Sequence, residues 1–193
     1  MSEKTQFTLF ETAIGVCGVA WDARGVVGAQ LPMPNGEKTR LRMLQRFPQG
    51  EDASPPASIQ RIIDDVVAMM KGEAKEFSNA PLVMDDVPEF NQRVYRIARA
   101  IPHGGTLTYG DIAKELGDLA LSRMVGQAMG QNPFPPLIPC HRVLGAGGKP
   151  GGFSANGGVE TKLKMLTIEK AKIAGQPPSL FDDLPLAAKP GRR

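Results

Sequence analysis

The sequence predicts a mixed α/β chain of the α+β kind, with a small N-terminal α/β unit followed by a mainly helical unit. Three observations predict this: the chain opens with alternating, β-prone segments, helical apolar stripes follow them, and the composition changes midway. We place the two units at residues 1–87 and 88–175. Residues 176–193 are Pro-rich without helical or strand periodicity, which is typical of a disordered tail.

Length and composition bound the function classes. The chain has 193 residues, 41% hydrophobic and 22% charged, which is ordinary for a globular protein in water. It has no apolar run near the roughly 20 residues of a membrane span and no secretory signal. We therefore expect no membrane partner, a cytosolic location of the bacterial type, and reduced cysteines at 17 and 140. The two Cys and two His lack paired spacing, so we expect neither a metal nor a cofactor.

Three strands are predicted at the start, joined by turn signals, and they place Cys17 in a core. They cover residues 6–12, 16–21 and 26–31. Two amphipathic helices follow. The first is predicted over residues 37–47, and the second is capped by Ser58 and ends near Met70. The apolar face of the first carries Leu41, Leu44 and Phe47. Nothing in this unit resembles a catalytic constellation.

Three short helices are predicted after the boundary, at residues 89–100, 109–116 and 119–130. Thr108 is the expected cap of the second helix, and Met124 is expected among the inward residues of the third. Two short helices around a Gly turn are typical of a helix-turn-helix that reads DNA, although many helical hairpins bind nothing. Residues 89–175 carry eleven Lys and Arg against six Asp and Glu, which suits a polyanionic partner.

The segment Asn132–Val143 carries the strongest chemical signal. Its four prolines predict an extended approach that delivers Cys140, with His141 beside it. Such a cysteine is a candidate nucleophile, and the pattern alone equally fits a buried structural cysteine. A Gly-rich loop follows, typical of a close approach to a ligand or of a winged-helix wing. The last predicted helix, residues 159–174, has Leu163 inward, Lys162 outward and Glu169 near its end.

Three groups of residues resemble one known family. They are Ile101-Pro102 with Thr108-Tyr109-Gly110, Arg123-Met124-Val125-Gly126, and Asn132-Pro133 with Ile138-Pro139-Cys140-His141-Arg142-Val143. Over about residues 88–170 these segments resemble the O6-alkylguanine-DNA alkyltransferases, also called methylated-DNA–protein-cysteine methyltransferases. The resemblance implies an RNase H-like α/β N-terminal domain and a winged helix-turn-helix C-terminal domain. It also implies a single-use repair protein for double-stranded DNA that contains O6-alkylguanine, with O4-alkylthymine a further candidate substrate.

By this resemblance, the protein binds the minor groove, flips the damaged base out of the stack and takes the alkyl group onto Cys140. His141 then acts as a general base through a water, Glu169 orients His141, Asn132 orders the turn, and Tyr109 donates to the leaving guanine. The implied base pocket includes Val143, Phe153 and Ser154. The implied DNA contacts are Arg123, Tyr109, Asn91, Gly110, Asp118 and Ala146, with Arg123 filling the gap left by the flipped base.

Two features depart from the family pattern. Phe153 stands where many members carry Tyr, and the segment 152–158 is two residues longer than the common form. The tail adds Gln176 and Leu180-Phe181, loosely similar to peptides that dock on bacterial sliding clamps. We otherwise expect a monomer.

Three other function classes compete with the alkyltransferase. A non-catalytic lesion sensor on the same scaffold would lack the cysteine, and Cys140 is present. A winged-helix transcription regulator would not need Asn132, His141 and Glu169 together. A cysteine hydrolase would need an oxyanion hole, for which the sequence gives no separate signal.

Overall fold

The computed structural model describes residues 4–172, so the predicted tail lies outside the described residues. The strands are β1 (Gln6–Thr12), β2 (Gly15–Asp22), β3 (Gly25–Gln30), β4 (Glu51–Asp52), β5 (Leu107–Thr108) and β6 (Val143–Leu144). The helices are α1 (Gly36–Arg46), α2 (Ala57–Met69), α3 (Glu89–Arg99), α4 (Tyr109–Glu115), α5 (Ser122–Gly130) and α6 (Val159–Ile168). No helix in this part of the chain is long and apolar enough to cross a bilayer.

A four-stranded sheet organises the N-terminal unit, in the order β3-β2-β1-β4. The three predicted strands are confirmed as antiparallel neighbours, and the short β4 pairs parallel with β1. Side chains alternate between two layers, as the period of a strand requires. Phe7 and Ala20 pack with Met43 of α1, whereas Cys17 and Trp21 belong to the large core that also contains α2.

The faces of α1 and the start of α2 differ from the prediction. Leu41 is 52% exposed, and Thr39 and Met43 are the buried residues of α1. A polar residue fits inside because the Thr39 hydroxyl donates to the Val16 carbonyl, 3.1 Å away. Ser58 lies within α2 and does not cap it.

The three predicted helices of the C-terminal unit are present. Thr108 caps α4 as predicted, in a reciprocal capping box with Asp111. The third predicted helix begins as a separate 3₁₀ turn, because the Asp118 carboxylate accepts from the backbone N of Ala120 at 2.8 Å. Met124 is 46% exposed instead of inward, since the buried face of α5 is formed by other residues. Those residues are Val125, Ala128 and Met129.

The two units meet directly and share one continuous apolar core. Backbone N–H of Ala29, at the end of β3, donates to the Pro133 carbonyl at 2.9 Å. The Arg46 guanidinium donates to the carbonyls of Ala29 and Pro133 at 2.5 and 2.9 Å. The sheet of the first unit therefore fixes the start of the segment that carries Cys140.

A parallel pair, β5 and β6, joins α4 to the segment after Cys140. Residues 145–158, which the sequence linked to a wing, form an irregular loop with one short 3₁₀ turn. The α+β class is confirmed by the observed elements.

Candidate active site

Asn132 holds the approach to Cys140 in a fixed shape. Its side-chain oxygen accepts from the backbone N of Phe134 at 2.9 Å, and its amide donates to the Ile138 carbonyl at 2.8 Å. Two backbone bonds close the same turn, from Ile138 N to Phe134 O and from Cys140 N to Ile138 O. Because this Pro-rich segment cannot form a regular ladder, the side-chain amide of Asn132 replaces the missing backbone pairing.

Cys140 begins a 3₁₀ turn, Cys140–Arg142, and is 7% exposed. Burial raises the pKa of its thiol above the ordinary value. A hydrogen bond from Asn132 and the positive charge of Lys162 oppose that increase, so both groups favour the thiolate. The raised pKa favours the protonated thiol, whereas Asn132 and Lys162 stabilise the thiolate, which is the nucleophilic form.

His141 and Glu169 form a buried pair, with Nε2 of His141 2.8 Å from Oε1 of Glu169. Burial alone would raise the pKa of Glu169, but hydrogen bonds from His141 and Arg142 lower it to about 2. An ionised carboxylate only accepts, so Nε2 carries a proton. Burial lowers the pKa of His141, which keeps the ring neutral and leaves a lone pair on Nδ1. Within residues 4–172, this buried Nδ1 has no hydrogen-bond partner.

Arg142 fixes the position of Glu169. Its Nε and Nη2 atoms donate to the two carboxylate oxygens at 2.9 and 3.0 Å, and Nη1 donates to the Ile101 carbonyl at 2.6 Å. The backbone N of Gly104 also donates to Glu169, at 3.4 Å. Such a bidentate pair sets the direction of the carboxylate as well as its charge. This placement agrees with a structural role for Arg142 rather than a chemical one.

The position of Lys162 differs most from the sequence-based prediction of the site. Lys162 was predicted outward, yet it is fully buried, and its Nζ donates to the Val143 carbonyl at 2.6 Å. Nζ also lies 5.9 Å from the ring centre of Tyr109 and 5.7 Å from that of Phe153. Burial lowers the pKa of Lys162 to about 8, an effect opposed by the nearby Cys140. Through its hydrogen bond, Lys162 contacts Val143, which the resemblance places in the base pocket, and the Val143 carbonyl keeps a second lone pair.

A signal for Lys162 was available in the helical spacing. Residues 162, 165, 166 and 169 share one face of α6, and Glu169 was already a candidate for the site. If every lysine of α6 is assumed to face solvent, the predicted buried face is rotated by one residue and includes Leu163 instead of Lys162. Leu163 is in fact 41% exposed.

Cys140 lies at a cavity of about 450 Å³. The cavity is also lined by Tyr109, Met129, Phe153 and Ser154. Burial raises the pKa of the Tyr109 hydroxyl, which therefore stays protonated and able to donate. Gly151 has a φ of +63°, and a Cβ there would lie 3.2 Å from the Tyr109 hydroxyl, so the loop needs glycine at this point. Apolar walls and a few polar groups suit a planar heterocycle.

The remaining predicted DNA contacts are divided between surface and interior. Arg123, Asp118 and Ala146 are exposed, and Gly110 is partly exposed. Arg123 lies three residues before Gly126 and seven before Gly130, which both line the cavity, so it shares their side of α5. Asn91 does not join them, because it is 8% exposed and its amide donates to Gln131 at 3.1 Å.

No group of three or more His, Cys, Asp or Glu side chains in residues 4–172 is arranged to hold a metal ion. The chemistry available is therefore that of a buried thiol with a neutral imidazole, an ionised carboxylate and an ammonium group.

Comparisons with known proteins agree with this arrangement. The family described as "6-O-methylguanine DNA methyltransferase, DNA binding domain" matches residues 89–171. The methylated-DNA–protein-cysteine methyltransferase of Methanothermobacter thermautotrophicus is 32% identical, over 82% of this chain and 82% of its own length. The one from Mycobacterium tuberculosis strain H37Rv is 37% identical, over 75% of this chain and 86% of its own.

A solved structure extends the similarity to the whole fold. Mycobacterium tuberculosis OGT, solved in complex with DNA, superposes with a TM-score of 0.69 at 29% identity, covering 86% of this chain and 92% of its own. A DNA base-flipping protein of Thermus thermophilus is also similar, 35% identical over 65% of this chain and 82% of its own. The chain belongs to the methylated-DNA–protein-cysteine methyltransferase family.

Proposed function

We propose that this protein repairs DNA by direct reversal, moving the alkyl group of O6-alkylguanine onto Cys140 in a single turnover. One observation carries the proposal: Cys140 lies at a base-sized cavity and directly precedes a neutral His141 whose Nε2–H is held by Glu169. That leaves Nδ1 as the only ring nitrogen that can take a proton.

The chemistry needs one proton transfer and one displacement. Nδ1 of His141 takes the thiol proton of Cys140, through a water. The sulfur then attacks the alkyl carbon, so that the new S–C bond forms as the C–O6 bond breaks. The electrons of that bond pass to the guanine, and the Tyr109 hydroxyl donates to it as negative charge develops. The thioether product has no leaving group, which makes each molecule single-use.

Recognition requires that the base leave the duplex, because O6 lies inside the base stack. The DNA complex of the Mycobacterium tuberculosis relative supports double-stranded DNA as the partner. In our proposal α4 and α5 lie against the minor groove, and Arg123 fills the space of the extruded guanine. A planar cation can stack and donate hydrogen bonds there. Asp118, Gly110 and Ala146 would lie near the DNA backbone.

The remaining expectations belong to the same proposal. We propose a monomer that acts in the cytosol, with O4-alkylthymine as a second substrate. Docking on a sliding clamp through Leu180-Phe181 concerns residues outside the described range.

The test is intact-mass analysis after mixing the protein with a duplex that contains one O6-methylguanine. We expect a gain of one methyl group per chain and one restored guanine per protein molecule. Cys140→Ala should gain no mass but should still bind the methylated duplex in preference to the unmodified one. Guanine restoration far beyond one equivalent would exclude the single-turnover mechanism, and binding without mass gain by the wild type would indicate a lesion sensor.

A further inference from the structure

A second cavity, of about 640 Å³, is also lined by Cys140. We call it the inter-unit cleft, because α1 forms one wall and the Cys140 segment another. Four residues line both cavities. They are Gly130, Cys140, Phe153 and Ser154. Cys140 thus lines both a cavity of about 450 Å³ and a larger one of about 640 Å³.

The walls of the inter-unit cleft are polar and positively charged. Arg42 and Arg46 line it together with several side-chain amides, and no Asp or Glu among the described residues does. The amides belong to Gln30, Gln45, Gln131, Asn132 and Asn156. The segment that is longer than the family's common form contributes Ala155 and Asn156. A cleft with two cations and no carboxylate favours an anionic occupant.

Arg42 and Arg46 differ in their hydrogen bonds and in their exposure to solvent. The Arg46 guanidinium donates hydrogen bonds to the carbonyls of Ala29 in the N-terminal unit and Pro133 in the C-terminal unit. Arg42 and Arg46 are four residues apart on α1, and the charge of Arg42 adds to burial in lowering the pKa of Arg46. Arg42 is exposed and makes no ion pair within residues 4–172. Arg42 is therefore the cation available to a ligand.

The geometry of the displacement directs longer chains into this space. The attacked carbon lies between O6 and the Cys140 sulfur, so the rest of an alkyl chain must project sideways from that line. In the proposed transfer the guanine occupies the smaller cavity, whereas the inter-unit cleft is a further space that Cys140 also lines. Its volume lies in the range of small-molecule sites.

We infer that the inter-unit cleft accepts O6-alkyl chains that end in a carboxylate, and that Arg42 binds this carboxylate. The inference rests on the proposed transfer to Cys140 and specifies its substrate class. The bond changes are those of methyl transfer: S–C forms, C–O6 breaks, and the carboxylate stays unchanged.

The test compares two duplexes that differ only at the far end of the chain, one with O6-(ω-carboxybutyl)guanine and one with O6-(ω-carbamoylbutyl)guanine. The terminal groups are remote from the reacting carbon, so intrinsic reactivity is matched. Second-order transfer rates come from intact mass. We expect the wild type to prefer the carboxylate by about five-fold, the size of one solvent-accessible ion pair. In Arg42→Gln that ratio should fall to about one, with methyl transfer unchanged.

Arg40→Gln is the matched control, since Arg40 lies on the same helix, pairs with Asp52 and does not line the cleft. It should keep the wild-type ratio. A wild-type ratio of about one, or a preference that persists in Arg42→Gln, would overturn the inference while normal methyl transfer keeps the proposed function. Absence of methyl transfer in the wild type would overturn both.

Discussion

The two cysteines of this chain have different surroundings, and these surroundings affect the thiolate form of each cysteine differently. Cys17 is 1% exposed in β2, and burial raises its pKa to about 12; the Thr12 hydroxyl, 3.8 Å from the sulfur, lowers this pKa, whereas the charge of Glu11 raises it. Cys140 is nearly as buried, but it borders two cavities and lies next to an amide, an imidazole and an ammonium group. Burial alone does not decide reactivity, because the neighbours determine whether a thiolate can form.

The same contrast holds for the two units. The N-terminal sheet buries apolar residues on both faces, and its role is to hold the start of the Cys140 segment through Ala29 and Arg46. The C-terminal unit buries Lys162 and also a network of Arg142, His141 and Glu169. Buried charges are costly unless they are paired or hydrogen-bonded; here Arg142 pairs with Glu169, and Lys162 donates to the Val143 carbonyl. The polar groups near Cys140 therefore come mainly from the C-terminal unit, and the N-terminal unit holds the start of their segment.

Exchanging each cysteine for serine should give the largest difference. Cys140→Ser is expected to lose methyl transfer by at least about a thousand-fold, because an alcohol near neutral pH is a far weaker nucleophile than a thiolate. Cys17→Ser should keep the wild-type transfer rate and lose only stability, by about 1–3 kcal/mol for a buried hydroxyl. Transfer rates and urea unfolding of both variants are the measurements. A Cys17→Ser protein that folds but transfers no methyl would break the comparison.

Acid should weaken the C-terminal network through Glu169. Its pKa is lowered from 4.5 to about 2, so its ionised form stabilises the fold above pH 4.5, and this stabilisation is lost as pH falls towards 2. The full loss is about 3 kcal/mol, of which about 2 kcal/mol is lost by about pH 3, because that pH still lies above the folded-state pKa. Urea unfolding at about pH 6 and about pH 3 measures it, and Glu169→Gln should show a smaller change between the two. Glu160→Gln, an exposed change on the same helix, should behave as the wild type does.

Removing the Lys162 ammonium group should make Cys140 resemble Cys17 more closely. Lys162→Met keeps the length of the side chain but removes the charge that lowers the Cys140 pKa. We expect iodoacetamide to alkylate Cys140 about ten times more slowly near pH 7, which corresponds to about one pKa unit. Peptide mapping separates Cys140 from Cys17. Lys164→Met, at an exposed position of α6, should leave the rate unchanged, and an unchanged rate in Lys162→Met would remove Lys162 from the account.

Restoring the family's tyrosine should give the smallest effect. Phe153 is partly buried and packs near Lys162, and its ring can contact the base with or without a hydroxyl. Phe153→Tyr is therefore expected to change the methyl transfer rate by less than about three-fold, the scale of one exposed hydrogen bond. A change of more than ten-fold would show that the lip of the pocket depends on that hydroxyl.

Periodicity predicted the strands and helices well, because buried faces in this chain are mostly apolar. It failed where a polar side chain is buried with a partner, as for Thr39 and Lys162, since a pattern of residue types does not show hydrogen bonds across the chain. Leu41 and Leu163 are exposed because Thr39 and Lys162 take the inward positions of their helices. Met124 is exposed because Val125, Ala128 and Met129 form the buried face of α5. The joining of Cys140, His141 and Glu169 came from the resemblance, and the buried position of Asn91 could not be foreseen from either source.

The most direct test follows the methyl carbon itself. A duplex with O6-methylguanine, labelled with ¹³C in the methyl group, is mixed with the wild-type protein, which is then digested and mapped by mass spectrometry. If the methyl group is transferred to Cys140, the whole label appears on the peptide that contains Cys140 and none on the peptide that contains Cys17. Label on any other residue, or its release as free methanol with the protein unmodified, would contradict the account.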